Sequence, residues 1–168
     1  MTDKKIIRDL DKEVERLGDE TFMSEKQARV ALLTKKGLTI GEIEEEVGAK
    51  GASSHKNRAR DKLEKAENTL EYVERGMPDK SDEDIADETF LSENHVKLLK
   101  ADPDRAYIYP DAIMISDEEL AEKGRKSRQE LSEETDIDPA AVTRFKSYIR
   151  NRVEKADRTL EEFKFLKK

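Results

Sequence analysis

The sequence has no cysteine, no tryptophan, two histidines and four prolines in 168 residues. Without cysteine there are no disulfides, no thiol nucleophile and no thiolate zinc site. His55 and His95 are too few for a histidine-rich metal centre. No apolar run approaches the roughly 18 residues of a membrane span. The opening stretch, MTDKKIIRDLDKEVERLG, lacks the apolar core of a secretory signal. A soluble, cytoplasmic protein is expected. There is no Ser–His–acid set and no glycine-rich phosphate loop. No isolated pair of carboxylates sits in an apolar context that would raise a pKa. Neither enzymatic activity nor a cofactor is expected.

Charge is what the sequence has in abundance. Charged residues make up 43% and hydrophobic ones 35%, against about 25% and 45–50% in an ordinary soluble domain. Such a chain buries a thin core, which suits small helical units with broad solvated faces. The net charge of −7 argues against nucleic acid when taken whole, since phosphate binding needs local positive charge. Its distribution decides otherwise.

An internal repeat organises the chain. Residues 19–25 read DETFMSE and residues 87–93 read DETFLSE, identical at six of seven positions. Residues 60–71, RDKLEKAENTLE, match 150–161, RNRVEKADRTLE, at seven of twelve. The first pair is offset by 68 residues and the second by 90, so the second copy carries about 22 extra residues between Leu98 and Ser132. The resulting division is a helical leader over 1–18 (Ile6, Ile7, Leu10, Val14 and Leu17 at helical spacing), a first unit over 19–75, an acidic linker over 76–86, and a second unit over 87–168 with an insertion at about 99–128.

Each copy reads as several short helices, so the fold class is mainly α. Ser24–Gln27, Thr39–Glu42 and Ser116–Glu119 are capping boxes. Gly37 and Gly48 are helix stops. Asp138 followed by Pro139 opens the last long helix. Within the insertion, Tyr107–Tyr109 and Ile113–Ser116 read equally as a small β-hairpin or as an irregular loop with buried aromatics.

The order in each copy is capped helix, glycine turn, short helix, turn, long basic helix. That is a helix-turn-helix arrangement, so the fold expected is two tandem helix-turn-helix units with long C-terminal helices. Copy one resembles the Tfx family of archaeal DNA-binding proteins through TFMSEKQ (21–27), Val30, Leu33, KGLT (36–39), EI (42–43), Val47-Gly48, RAR (58–60) and EKAENTLE (64–71). More loosely, it resembles the DNA-reading region of sigma factors and LuxR-type regulators. The resemblance covers about 19–74 well and copy two more weakly. It implies an archaeal transcriptional regulator, associated with the nucleoid, whose partner is double-stranded DNA. Copy one is two residues shorter before the long helix, and copy two has Asp136 in place of the turn glycine.

Positive charge collects on the two long helices. Residues 50–66 carry a net +4, residues 144–155 another +4, and the remainder −15. The candidate DNA-contacting residues are Lys50, Ser53, Ser54, Lys56, Asn57, Arg58 and Arg60 in copy one. In copy two they are Ala140, Thr143, Arg144, Lys146, Ser147 and Arg150. Arg and Lys hold phosphates, while Arg, Ser, Thr and Asn reach base edges. Lys123, Arg125, Lys126 and Arg128 would add phosphate contacts. The alternative is that these are solvated faces of a charge-rich protein; their coincidence with a twice-occurring motif favours DNA. Two rival functions remain: a protein-interaction or assembly module on the same scaffold, and an architectural chromatin protein without sequence preference.

Both tails share an a/d spacing. Leu63, Ala66, Leu70 and Val73 match Val153, Ala156, Leu160 and Phe163. Two heptads are too short for a free coiled coil. Each seam therefore packs on its own unit, on the other tail as an intramolecular pseudo-dimer, or on a second chain as a homodimer.

Overall fold

The computed structural model describes residues 4–48, 50–102 and 126–167, with side chains from residue 9 onward. All regular structure among them is helical: α1 (Lys4–Glu20), α2 (Glu25–Lys35), α3 (Ile40–Val47), α4 (Ala52–Arg75), α5 (Asp82–Glu88), α6 (Glu93–Ala101), α7 (Arg128–Thr135), α8 (Pro139–Phe163), and a closing 3-10 turn (Lys164–Lys167). The fold is mainly α. The hairpin alternative and the Ser116 capping box fall outside the described residues, as do Lys123 and Arg125.

Local chemistry sets the boundaries. The Ser24 hydroxyl accepts the Gln27 amide at 3.1 Å, and the Gln27 carbonyl oxygen accepts the Ser24 amide at 2.9 Å. Thr39 and Glu42 do the same for α3. In α6, Ser92 is paired with His95, whose Nδ1 accepts the Ser92 amide at 3.2 Å. At α8, Pro139 occupies the first position and Asp138 Oδ1 accepts the Ala140 amide. Each cap satisfies amides that a helix start otherwise leaves open, worth about 1 kcal/mol apiece.

Two of the sequence divisions are corrected. The stretch read as an acidic linker over 76–86 contains most of a helix. Ser81 caps α5, Asp82, Glu83 and Asp84 fill its first turn, where the positive end of the helix dipole favours them, and Ile85 is fully buried. Few apolar residues, Met77, Ile85 and Ala86, stand among the acids and give no helical periodicity to read. The second correction concerns the tails. The chain forms two compact units, residues 1–66 with 155–168, and residues 67–154. The boundary falls inside both long helices, so the two copies exchange their C-terminal segments.

In the first unit, α2 packs against α1 and α3. One cluster joins Val14, Leu17, Met23, Ala28, Ala31, Ala59 and Leu63 to Phe163 and Leu166, with Leu160 partly buried against them. Phe163 and Leu166 come from copy two. A smaller cluster of Val30, Leu33, Ile43 and Ala52 seats α3 and the start of α4. In the second unit, α6 packs against α5 and α7. One core gathers Ile85, Leu91, Val96, Leu98, Leu99, Leu131, Val142 and Ile149 around Val73, with Val153 partly buried against it. Val73 comes from copy one. The two seams thus meet: Leu63 shares a core with Leu160 and Phe163, and Val73 with Val153.

The repeated DETF segment explains itself here. Thr21 Oγ1 donates to the Leu17 carbonyl at 2.6 Å and accepts the Met23 amide at 3.2 Å. The Phe22 amide donates to Thr159 Oγ1 at 3.1 Å, and Lys62 Nζ donates to the Phe22 carbonyl at 2.7 Å. In the second unit Thr89 bonds the Ile85 carbonyl and the Leu91 amide. The Phe90 amide donates to Thr69 Oγ1 at 3.0 Å, and Arg152 donates to the Phe90 carbonyl at 2.9 Å. Every partner obeys the 68- or 90-residue offset of the repeat. The chain between helices has no ladder of its own, so side chains must satisfy its buried amides. DETF and the tail threonine supply them.

Candidate nucleic-acid interface

In each unit a short helix ends on a left-handed residue and a long helix follows. Gly48 closes α3 at φ 71° and ψ 19°. Asp136 closes α7 at φ 61° and ψ 25°. The same backbone turn is therefore made by a glycine in one copy and by aspartate, one of the few side chains that visit this region, in the other. The two-residue shortening is absorbed at the start of the long helix. By the 90-residue offset Ala52 corresponds to Val142, and both are buried; α4 begins at Ala52, while α8 begins three residues earlier in the equivalent frame, at Pro139. Copy one keeps its long helix but lacks the first turn of it.

Past this point the two long helices have the same cross-section. In α4 the apolar face is Ala52, Ala59, Leu63 and Ala66, and in α8 it is Val142, Ile149 and Ala156. On the opposite face of α4, Ser53, Ser54, Asn57 and Arg58 are exposed, with Lys50 exposed just before the helix. On that of α8, Ala140, Arg144 and Ser147 are exposed and Thr143 is half-buried. The guanidinium of Arg144 lies 5.7 Å from the centroid of the Phe145 ring, a cation–π contact. Lys56 is half-buried at the margin of its stripe.

Three of the candidates serve the fold as well. Lys146 is 17% exposed at its side chain and pairs at 3.5 Å with Asp102, a carboxylate only 4% exposed. Arg60 donates through Nε to the Leu166 carbonyl at 3.0 Å, tying α4 to the closing turn. Arg150 pairs with Glu154 at 3.4 Å, one helical turn on. Lys126, a candidate for an additional phosphate contact, donates to the Ala101 carbonyl and to Glu134, both at 2.7 Å. Arg128 donates to Thr143 Oγ1 at 3.4 Å.

Two residues belong on the exposed stripe that polarity alone did not select. Tyr148, 46% exposed, stands one turn after Arg144, and Asn151 one turn after Ser147. Their i+4 spacing from chosen residues was the available signal. Tyr148 leans on the ring of His95 at 6.4 Å, and His95 meets Phe145 edge to face at 5.6 Å. Burial, aided by the charge of Arg152, holds His95 down at about 4. Its ring is neutral, and Nδ1 is free to accept the cap bond. His55, in the place of Phe145, is half-buried, with an Nδ1 that has no hydrogen-bond partner among the described residues. Burial likewise lowers Lys62, with Lys65 nearby adding to the effect.

Acidic residues flank the first stripe. Glu42, Glu45 and Glu46 of α3 are exposed, as are Asp61 and Glu64 further along α4. The α8 stripe carries no acid before Glu154. No protein-family model, curated protein or solved structure matches the chain.

Proposed function

We propose that the chain binds double-stranded DNA as a transcriptional regulator, with two helix-turn-helix units in one polypeptide and α4 and α8 as the recognition helices. One observation carries this reading. In both copies the helix after the left-handed turn packs an apolar face inward and turns outward a stripe of small, amide and guanidinium side chains. Lys50, Ser53, Ser54, Asn57 and Arg58 hold no side-chain hydrogen bond or ion pair among the described residues, and neither do Ala140, Ser147 and Asn151. Side chains that a fold leaves uncommitted, on a helix narrow enough for the major groove, are what base reading needs. The likeness of copy one to the Tfx family supports the same reading and would place the protein in an archaeal nucleoid. The acids of α3 beside the first stripe, Glu42, Glu45 and Glu46, narrow the contact to the helices themselves.

A second reading draws on α3. Its acidic face and the 37%-exposed Val47 would suit a protein partner, with the helix-turn-helix kept as a scaffold.

The test is selection of bound duplexes from a random pool at two salt concentrations. The wild-type chain enriches a defined sequence at the lower salt. The combined Lys50→Ala, Lys56→Ala, Arg58→Ala and Arg144→Ala variant keeps its helical content and loses binding. Binding unchanged in that variant overturns the DNA assignment and favours the protein-partner reading.

A further inference from the structure

The repeat keeps the character of its scaffold and differs along much of its exposed stripe. At the 90-residue offset the inner positions keep their character: Ala59 and Ile149, Leu63 and Val153, Ala66 and Ala156, Thr69 and Thr159. So do the ties to the DETF carbonyl, Lys62 and Arg152. Five of the outward positions do not, although Ser53 and Thr143, and Arg60 and Arg150, stay alike. Lys50 corresponds to Ala140, Ser54 to Arg144, Asn57 to Ser147, Arg58 to Tyr148 and Asp61 to Asn151. Two helices that read the same base sequence need the same outward side chains, and these two do not have them.

We propose that the two helices read unlike base sequences, so that the element bound by one chain is asymmetric, two different boxes rather than two halves of a palindrome. The inference rests on the DNA-binding reading above and adds what each helix selects. In α8, Arg144 sits in the second turn, its guanidinium steadied over Phe145. Arginine in that position donates a bidentate pair to O6 and N7 of guanine. Tyr148, one turn on and braced by His95, offers an aromatic face to a thymine methyl. In α4, serine replaces that arginine and the ring is replaced by Arg58. Asn57 is suited to the N6 and N7 pair of adenine, and the carboxylate of Asp61 to the N4 amino group of cytosine. The same carboxylate repels guanine's acceptor edge. The α8 box is therefore built on guanine and thymine, and the α4 box on adenine and cytosine.

The full chain, selected against random duplexes, yields a motif of two unlike boxes. Arg144→Ala flattens the preference at a guanine in one box and weakens the preferred duplex about tenfold. Asn57→Ala flattens an adenine in the other. Replacing that guanine with 7-deazaguanine, which lacks N7, weakens the wild type to a similar degree and leaves Arg144→Ala unchanged. The combined Lys50→Ala, Ser53→Thr, Ser54→Arg, Asn57→Ser, Arg58→Tyr and Asp61→Asn variant gives the first stripe the outward side chains of the second and converts the motif to two like boxes; every changed position is exposed, and circular dichroism checks its fold. Two identical boxes for the wild type, a single box, or Arg144→Ala and Asn57→Ala acting on the same base overturn the asymmetry and leave DNA binding standing. No enriched duplex at either salt overturns the DNA-binding reading itself.

Discussion

The hydroxyl of Thr159, near the end of the chain, accepts the backbone amide of Phe22, near its beginning, at 3.1 Å. Thr69 does the same for Phe90 at 3.0 Å. Both threonines are fully buried. Each therefore holds the other copy's DETF segment. Thr159→Val keeps the shape and removes the acceptor from a half-buried amide, which costs about 1–3 kcal/mol. Thr69→Val should cost a similar amount. Urea unfolding of the two single variants and of the double variant measures this; a loss below about 0.5 kcal/mol in both would show that the bonds are incidental.

Exchange of tails makes neither copy self-sufficient. A fragment of residues 1–75 lacks Phe163 and Leu166, two fully or nearly buried members of the first core. It does hold its own Thr69, Leu70 and Val73, the repeat counterparts of Thr159, Leu160 and Phe163. The fragment can complete its core by lending that tail to a second fragment, as in domain swapping. Its melting temperature should rise with concentration, and sedimentation should find a dimer. A folded monomer with concentration-independent melting would refute the exchange.

The sequence announced the duplication, the caps and the amphipathic faces because each is a local pattern. Ser24 with Gln27 and Asp138 with Pro139 carry their meaning within four residues. The exchange was not legible for a physical reason. The spacing of Leu63, Ala66, Leu70 and Val73 tells which face of a helix is apolar, yet not which surface covers it. That one helix should serve two cores depends on contacts about 100 residues apart in sequence, such as Leu63 with Phe163. The same holds for the candidate interface. Arg144 and Ser54 could be chosen by type and spacing, whereas the ties of Lys146 to Asp102 and of Arg60 to Leu166 exist only in the folded chain.

Lys146 tests that distinction. Its partner Asp102 is buried, and replacing Lys146 removes a cation that pairs with that buried carboxylate. Lys146→Met should lower stability by about 1–3 kcal/mol, with the salt dependence of DNA binding unchanged. Arg144→Ala should show the reverse, near-native stability and weaker binding. Denaturant midpoints and binding isotherms at several salt concentrations separate the two. A Lys146→Met variant with native stability and a reduced salt slope would return Lys146 to the phosphate-binding set.

His95 gives the α6 cap a dependence on acidity that the α2 cap lacks, because Gln27 fills the same place there. In the folded chain burial first, and Arg152 second, hold the imidazole at about 4, below its ordinary 6.5. In the unfolded chain it titrates near the ordinary value. Between these limits the unfolded state binds a proton that the folded state refuses, so stability falls as pH drops from about 7 toward 4. The loss from this one group approaches about 3 kcal/mol. Protonation would also place a donor at Nδ1, against the Ser92 amide that it now accepts at 3.2 Å. His95→Gln retains an acceptor for that amide and cannot titrate. Carboxylates such as Glu88, held below the usual range by Lys80 and Tyr72, contribute equally to both proteins. The difference between the two stability–pH profiles thus isolates His95. Urea unfolding from pH 7 to pH 4 should show the wild type losing the larger amount, and parallel profiles would overturn the neutral, cap-accepting imidazole.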